Sequence, residues 1–425
     1  MQKLIINKKN CLQGFIENIR DKNTIAFIIF KNSNFKLQIT INKEKINSKI
    51  LETLKKLTIG TVITVKGILL KNNAVKLNGL ELIPDSIKIE SLADAPIPIQ
   101  DDSNIDTKLD YRWLDLRSEK NTLIFKVQTL LVKSLREFVY KKDFIEIHTP
   151  KIIATASESG SEVFEVNYFD NKAYLAQSPQ FYKQLAIASG FSNVFEVGPV
   201  FRAEKSHTNK HATEFTGFDI EFANIKNVKN IMDFEAKLLT YAITKVAKKY
   251  NEEIKRLFSR ELTIPKLPFP VMKLNDVYKE LKTRYNYEVS NEELGDLSTE
   301  AERLCKKLAK DKFNHEFLFV TDYDASKRAF YHERVKGIPQ GFDLIWQGVE
   351  ITTGAKREHR YDILVKQAKE KNLDNDVKFY LNFFKYGCPP HGGFGLGIDR
   401  LTMLIFDLTI KESQFIFRNP NRLEP

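Results

Sequence analysis

The sequence predicts an α+β chain, a small N-terminal β-barrel followed by a larger domain of strand hairpins with flanking helices. Three stretches predict it. Residues 1 to about 90 alternate short apolar strands with a single helix. Val194 to Phe222 reads as strand, polar loop, strand. Gly392 to Leu404 (GGFGLGIDRLTML) reads as a glycine-rich strand running into a helix.

In the first region the expected strands are Lys3–Ile6, Cys11–Ile19, Ile25–Phe30, Phe35–Ile41, Val62–Leu70 and Leu80–Pro84, with a helix over Ser48–Lys56. Five main strands with a helix between the third and fourth give an OB-fold barrel, whose open face binds oligonucleotides. Phe27 and Gln38 fall on successive strands and Glu81 on the last. An aromatic beside hydrogen-bonding side chains makes a stacking platform with base-edge readers. Taken singly, Phe27 reads rather as a core residue.

Ser91 to Asn104 (SLADAPIPIQDDSN) holds two prolines and a polar cluster, the composition of a linker or of an ordered strap. The division expected is a barrel over 1–90, a linker over 91–104 and a second domain over 105–425. Thr122 to Lys141 carries apolar residues at helical spacing, and Phe144 to Ile152 reads as the strand that follows, with Pro150 near its end. Ala154 to Phe164 is a loop of small residues, as a mobile lid or any surface loop would be. Ser178-Pro179 opens a helix on which Gln180 and Lys183, three apart, share a face.

In Val194 to Phe222, Arg202 ends the first apolar run and Asp219 and Glu221 share one face of the second strand. A cation at one end of a hairpin and two carboxylates at the other suit an anionic phosphate ligand with a divalent metal and an amino group. An ordinary salt-bridged hairpin would read the same. A helix follows over Met232–Leu257, and Lys266 to Pro270 (KLPFP) breaks the pattern. Residues 271 to 315 are charged and helical, a small insertion with little chemistry. Phe342 to His359 carries Asp343, Glu350 and Arg357. Asp343 and Glu350 are seven apart. On one straight strand they would face opposite ways, so a bulge or helical turn near Gly348 must bring them together.

Composition narrows the class. The 425 residues are 42% hydrophobic, enough for two or three packed cores. A net charge of +11 favours a polyanionic partner, although a chain rich in Lys, Asn and Ile also acquires charge by compositional drift. Cys11, Cys305 and Cys388 stand far apart without a CxxC, which argues against a disulfide framework or zinc site and for a reducing compartment. The sequence has neither an apolar run of membrane-spanning length nor a signal-peptide core, so the cytosol is expected.

Together the three stretches resemble motifs of the class II aminoacyl-tRNA synthetases. VFEVGPVFRAEKSHTNKHATEFTGFDIEF is similar to motif 2, GGFGLGIDRLTML to motif 3, and the helix and strand ending at Pro150 to motif 1. Within the class the chain resembles the aspartyl/asparaginyl subgroup, most of all its aspartyl branch of the archaeal and eukaryotic kind, over nearly its whole length. The resemblance implies an antiparallel catalytic sheet and a homodimer through motif 1, with Pro150 at the interface. It implies a ligase that activates L-aspartate with ATP and magnesium and transfers it to tRNA(Asp), charging of tRNA(Asn) being left open.

It also implies roles residue by residue. Arg202 and Arg400 would be catalytic and ATP-binding, joined at the nucleotide by Glu204, His211, Phe215, Glu350 and Gly397. Asp343, Glu350 and Glu221 would serve the metal. Lys183 and Arg357 would clamp the substrate side-chain carboxylate. Asp219 and Glu158 would hold its ammonium, with Ser157 and Gln180 assisting and the 154–164 loop closing. Phe27, Gln38 and Glu81 would contact anticodon bases.

Three departures stand out. Asp399 precedes Arg400 where glutamate is usual, and is expected to hold that arginine less far out. The C-terminus FIFRNPNRLEP lacks one proline and the acid of the usual run. Asp324 sits where related chains often have proline. The competing readings are an asparaginyl-tRNA synthetase, an asparagine synthetase paralogue and a non-catalytic RNA-binding protein. Two cations at Lys183 and Arg357 oppose the first, the barrel the second, and the set Arg202, Asp343, Glu350 and Arg400 the third.

Overall fold

The structure is a computed structural model and describes residues 4–155, 162–205 and 210–425. It divides into two compact units, 1–111 and 112–425.

The first unit is a closed barrel of five strands, β1 (Lys9–Asp21), β2 (Ile25–Lys31), β3 (Lys36–Asn42), β4 (Val62–Lys71) and β5 (Leu80–Ser91), in the order β1-β2-β3-β5-β4. Strict alternation builds it: in β2, Ala26, Ile28 and Phe30 point inward and are fully buried, while the residues between them face out. Helix α1 (Ser48–Leu54), capped by the Asn47 side chain on Ile50 N, buries Ile50 and Leu54. Two expectations fail here. Leu4–Ile6 form no strand, because the Asn10 side chain accepts from Ile5 N and donates to Ile5 O and Lys8 O, which folds the segment over. β5 does not stop at Pro84: the β4–β5 register shifts between Lys66 and Gly67, and Pro84 sits at that irregularity.

The second unit is built on one eight-stranded sheet. Its strands are β6 (Ile145–Glu146), β7 (Asn193–Phe201), β8 (Glu214–Ala223), β9 (Val271–Lys273), β10 (Phe317–Thr321), β11 (Gly341–Trp346), β12 (Val349–Lys356) and β13 (His391–Gly397). The spatial order is β9-β10-β11-β12-β13-β8-β7-β6. The six inner strands run antiparallel, and a short parallel strand is added at each edge. Helices α2 (Glu119–Tyr140) and α4 (Val228–Phe258) pack on each other, and α4 also packs on β12 and β13. α3 (Gln180–Ala188) lies on β7 and β8.

The strand expected over Phe144–Ile152 is interrupted. Ile147 N still donates to Phe195 O, but the Thr149 amide and hydroxyl turn to the Glu196 carboxylate and Pro150 has no amide to give. Ile152–Ile153 then pairs in a separate three-stranded sheet with Asn171–Leu175. The segment 271–315 is not a free-standing insertion. It supplies β9, and its helices α5 (Leu274–Tyr285) and α6 (Thr299–Phe313) bury Val277, Leu281, Cys305 and Leu308 against Leu318, Val320 and Ile345 of β10 and β11. Among the described residues no helix is long and apolar enough to cross a membrane.

Candidate active site and nucleic-acid face

The β7–β8 hairpin, α3 and β13 converge on one buried charge cluster. The alternation of β8 turns Asp219 and Glu221 to the same face. Lys183, only 2% exposed, reaches up from α3 and places its Nζ 3.0 Å from Asp219 Oδ1 and 3.4 Å from Glu221 Oε2. Arg357, at the end of β12, donates Nε to Glu221 Oε1 at 3.1 Å and Nη2 to Gln180 Oε1 at 3.3 Å. The cluster holds two cations and two carboxylates in a space where an unpaired charge would be costly. Burial pushes the Glu221 carboxyl up, but Arg357 and Lys183 outweigh it and hold the group below its ordinary range.

The glycines of β13 make room for these carboxylates. A Cβ at Gly393 would fall 2.7 Å from Glu221 Oε2, and one at Gly395 would fall 3.2 Å from Asp219 Oδ1. At Gly393 the closest approach of that Cβ is to the β8 backbone itself, at Ile220 O, so these glycines admit both the neighbouring strand and its acidic side chains. Behind Gln180 runs an oriented hydrogen-bond chain. His391 is fully buried, and its Nδ1 lies 2.8 Å from Pro389 O while Nε2 lies 2.9 Å from Gln184 Nε2. Burial lowers the His391 pKa to about 4, so the ring is neutral, with Nδ1 donating and Nε2 accepting. Gln184 Oε1 is left to accept from Gln180 Nε2 and Tyr380 Oη, which fixes Gln180 Oε1 toward Arg357.

A second cluster forms a cleft lined by Arg202, Glu204, Lys210, His211, Phe215, Asp399 and Arg400. The Arg202 guanidinium stands 5.4 Å over the Phe215 ring. Glu204 lies 3.7 Å from Arg202 and 3.8 Å from His211, whose pKa is lowered by burial. Arg400 donates to Glu350 O at 2.9 Å. Gly397 caps the helix that carries Arg400, α7 (Ile398–Phe406).

Asp343 and Glu350 do come together. A two-residue turn at Gln347-Gly348 joins β11 to β12 and sets Ile345 opposite Glu350; a register shift follows between Leu344 and Ile345. Thr353 Oγ1 then lies 2.9 Å from Asp343 Oδ1 and 3.0 Å from Glu350 Oε1, so its one proton is shared between the two carboxyl groups. Burial outweighs Arg328 and pushes the Asp343 carboxyl up to about 6. Glu350 stays below its usual range, because Arg400 and Thr353 overcome burial. Both Asp343 oxygens accept from the Arg328 guanidinium, so Glu350 is the ligand that fits a divalent cation with phosphates and water, and Asp343 could join only by exchanging Arg328 for the metal. Glu221 does not join them: it is enclosed by Arg357 and Lys183 with no exposed surface. No group of three such ligands is assembled among the described residues.

Asp399 does not hold Arg400. It accepts from Thr216 N at 3.0 Å, Gln128 Nε2 at 3.1 Å and Gln414 Nε2 at 3.1 Å, tying β8 to the C-terminal tail. That tail is clamped by Arg112, which donates to the carbonyls of Glu412, Gln414 and Phe415, and Arg418 O accepts from Thr213 N at the foot of the hairpin loop. Asp324 caps the short helix Ala325–Lys327 that leads into Arg328. Ser157 and Glu158 lie outside the described residues. Pro150 is exposed, between the half-exposed Ile145 and Ile152.

On the barrel, Phe27 stands outside the core, on the outer face of β2, opposite Thr40. Gln38 and Glu81 pair across β3 and β5. Thr40, which sequence reasoning missed, joins them: Gln38 Nε2 donates to Thr40 Oγ1 at 3.0 Å, and that hydroxyl donates to Glu81 Oε2 at 2.7 Å. Asn72 Nδ2 donates to the other Glu81 oxygen at 2.8 Å. Arg328, Thr353, Glu302 and Gln184 were also missed. Thr353 lies inside the stretch Phe342 to His359, where strand alternation gave a signal, while Arg328, Glu302 and Gln184 had none.

Comparison with known proteins agrees with this geometry. Residues 104–416 match the family described as tRNA synthetases class II (D, K and N), and residues 11–90 match the OB-fold nucleic acid binding domain. The chain is 39% identical to an aspartate–tRNA(Asp) ligase of Pyrococcus abyssi, over 98% of this chain and 96% of that one. It is also 39% identical to an aspartate–tRNA(Asp/Asn) ligase of Methanopyrus kandleri, over 97% and 95%. The crystal structure of asparaginyl-tRNA synthetase from Pyrococcus horikoshii complexed with asparaginyl-adenylate superimposes with a TM-score of 0.91 at 29% identity, covering 99% of this chain and 97% of that one.

Proposed function

The chain belongs to the class II tRNA synthetases of the D, K and N group, and from that membership we propose that it is an aspartate–tRNA ligase. The observation that carries the choice of amino acid is the pair Lys183 and Arg357, both buried, both facing Glu221, with Asp219 beside them. Aspartate can enter by charge exchange: its side-chain carboxylate takes Lys183 and Arg357, and its ammonium takes Asp219. Asparagine is nearly the same shape, but its amide would turn donors toward donors and leave the cations short of a counter-charge. That supports discrimination of several kcal/mol without an editing step.

The reaction has two steps. A carboxylate oxygen of aspartate attacks the α-phosphorus of ATP, and pyrophosphate leaves. A terminal ribose hydroxyl of the tRNA then attacks the aspartyl carbonyl, and AMP leaves. Arg202 would neutralise charge at the α-phosphate and orient the attacking carboxylate, and Phe215 would stack on adenine. Arg400, fixed by Glu350 O, would face the distal phosphates or the second face of adenine. Glu204 and His211 would meet the adenine edge, the triphosphate or the acceptor end. Magnesium, if held by Glu350 and Asp343, would neutralise phosphate oxygens. Ser157 and Glu158 would close on the amino acid.

Phe27, Gln38 and Glu81 would read the anticodon by stacking and hydrogen bonding. The exposed Ile145, Pro150 and Ile152 beside edge strand β6 support a homodimer through that edge. Cysteines far apart in the sequence and without a CxxC support a reducing, cytoplasmic setting. Aminoacylation of tRNA(Asp) and tRNA(Asn) transcripts with labelled aspartate tests the reading. Charging of tRNA(Asp) alone supports a discriminating enzyme, and charging of both a relaxed one. Charging of neither, with asparagine accepted instead, overturns the role of Lys183 and Arg357.

A further inference from the structure

Helix α6 belongs to the segment in which the sequence suggested little chemistry, yet one of its side chains reaches a lysine of the nucleotide cleft. Glu302 is 7% exposed. Its Oε2 accepts from Lys210 Nζ at 2.9 Å and from Glu350 N at 3.3 Å. Lys210 lines the cleft with Arg202, His211, Phe215 and Arg400. Glu350 N belongs to the residue whose carboxylate shares Thr353 with Asp343. A single carboxylate oxygen therefore ties the end of the β7–β8 loop to the tip of the β11–β12 hairpin.

The tie is rigid. Gly348 in the hairpin turn has φ +81°, and a Cβ there would fall 3.0 Å from Arg303 Cα and 3.3 Å from Glu302 O, so the turn lies directly against the helix backbone. Below it Cys305 and Leu308 are fully buried. A lysine on a loop otherwise loses about 2 kcal/mol of rotamer entropy when a ligand fixes it. A lysine already held by a fixed carboxylate has lost much of that freedom before the ligand arrives.

We propose that Glu302 is a positioning residue of the nucleotide site, holding Lys210 and the Glu350 backbone in fixed relation so that the Lys210 ammonium meets a phosphate of the nucleoside triphosphate. The proposal rests on the ligase reading above. It makes the 271–315 segment part of the ATP site and assigns Lys210 to the phosphates.

The test is aspartate-dependent ATP–pyrophosphate exchange with Glu302→Gln, Lys210→Met and the double variant, each checked by thermal unfolding. Glu302→Gln keeps an acceptor for Glu350 N and removes the charge that holds Lys210. Its KM for ATP is expected to rise about tenfold, with KM for aspartate within about twofold of wild type. Lys210→Met should raise KM for ATP at least as much, and the double variant should be no worse than Lys210→Met alone, since both act through one cation. An unchanged KM for ATP, an equal rise in both KM values, or multiplied effects in the double variant would overturn the proposal. Should Glu302→Gln fail to fold, an unchanged KM for ATP in Lys210→Met overturns it alone. Wild-type protein without any exchange would instead count against the ligase reading.

Discussion

The Lys183 ammonium lies 3.0 Å from the Asp219 carboxylate, both buried, so the cation is already engaged before any substrate arrives. Entry of a carboxylate there is an exchange of partners, not the filling of a vacancy. Lys183→Ala takes the ammonium from Asp219 and leaves Glu221 to Arg357. Breaking a buried pair on one side costs ~3–5 kcal/mol, or about 10²–10⁴-fold in an equilibrium. Aspartate-dependent ATP–pyrophosphate exchange is expected to fall by at least that factor, while tRNA affinity measured by filter binding stays near wild type. Normal exchange in this variant would remove the basis for choosing aspartate.

On the other face of β12 the chain carries an uncompensated acid. Glu235 of α4 is fully buried beside the Thr352 hydroxyl, whose pull toward the charged form is smaller than the penalty of burial. Burial, helped by the nearby Asp343, pushes its pKa up to about 8. The folded state therefore keeps a proton that the unfolded chain gives up near its ordinary 4.5. Stability contributed by this group is complete below that value, is lost as pH rises toward 8 and is flat above it. Linkage sets the scale at ~1.4 kcal/mol per pH unit, on the order of 5 kcal/mol across the window from 4.5 to about 8. Glu235→Gln cannot ionise, so its urea midpoint should fall less than the wild type's between pH 5 and pH 8. Parallel slopes for the two proteins would show that Glu235 keeps an ordinary pKa.

Local patterns made much of this legible. Period-two alternation placed Asp219 and Glu221 on one face, the proline-opened helix placed Gln180 beside Lys183, and the barrel followed from its strand and helix order. Long-range contact was not legible. Nothing around Arg328 announces that it neutralises Asp343, and nothing around Glu302 announces Lys210, because those pairs are made by sheet order rather than by spacing. The metal role expected of Glu221 rested on its strand face and on the resemblance. That face was read correctly, but α3 and the end of β12 bring Lys183 and Arg357 to it, while Asp343 and Glu350 meet each other at Thr353. The Phe144–Ile152 strand failed because local apolarity does not reveal that Glu196 will claim the Thr149 amide.

The chain from His391 through Gln184 to Gln180 has one direction, set by the donor at His391 Nδ1 and the lone acceptor at Nε2. Gln184→Leu removes the acceptor for Gln180 Nε2 and Tyr380 Oη and leaves buried donors unmet, a cost of ~1–3 kcal/mol. Gln180 is then free to turn its amide, presenting donors toward Arg357. Steady-state exchange assays should show KM for aspartate rising about tenfold with KM for ATP within about twofold. A drop in thermal stability with both KM values unchanged would reduce the chain to a packing role.

Thr40 makes the corresponding prediction on the barrel. Its hydroxyl accepts from Gln38 and donates to Glu81, so it fixes which atoms of those two side chains remain to face a base. Asn72 holds the other Glu81 oxygen, leaving that carboxylate a pure acceptor. Thr40→Val keeps the volume and the β-branch on β3 but removes both bonds, releasing Gln38 to rotate. Aminoacylation should lose about tenfold in kcat/KM for tRNA(Asp), chiefly through KM for tRNA, while tRNA-independent ATP–pyrophosphate exchange is unchanged. The split between the two assays is the diagnostic: a loss in both would mean a folding defect, and a loss in neither would place base recognition away from the Phe27 face.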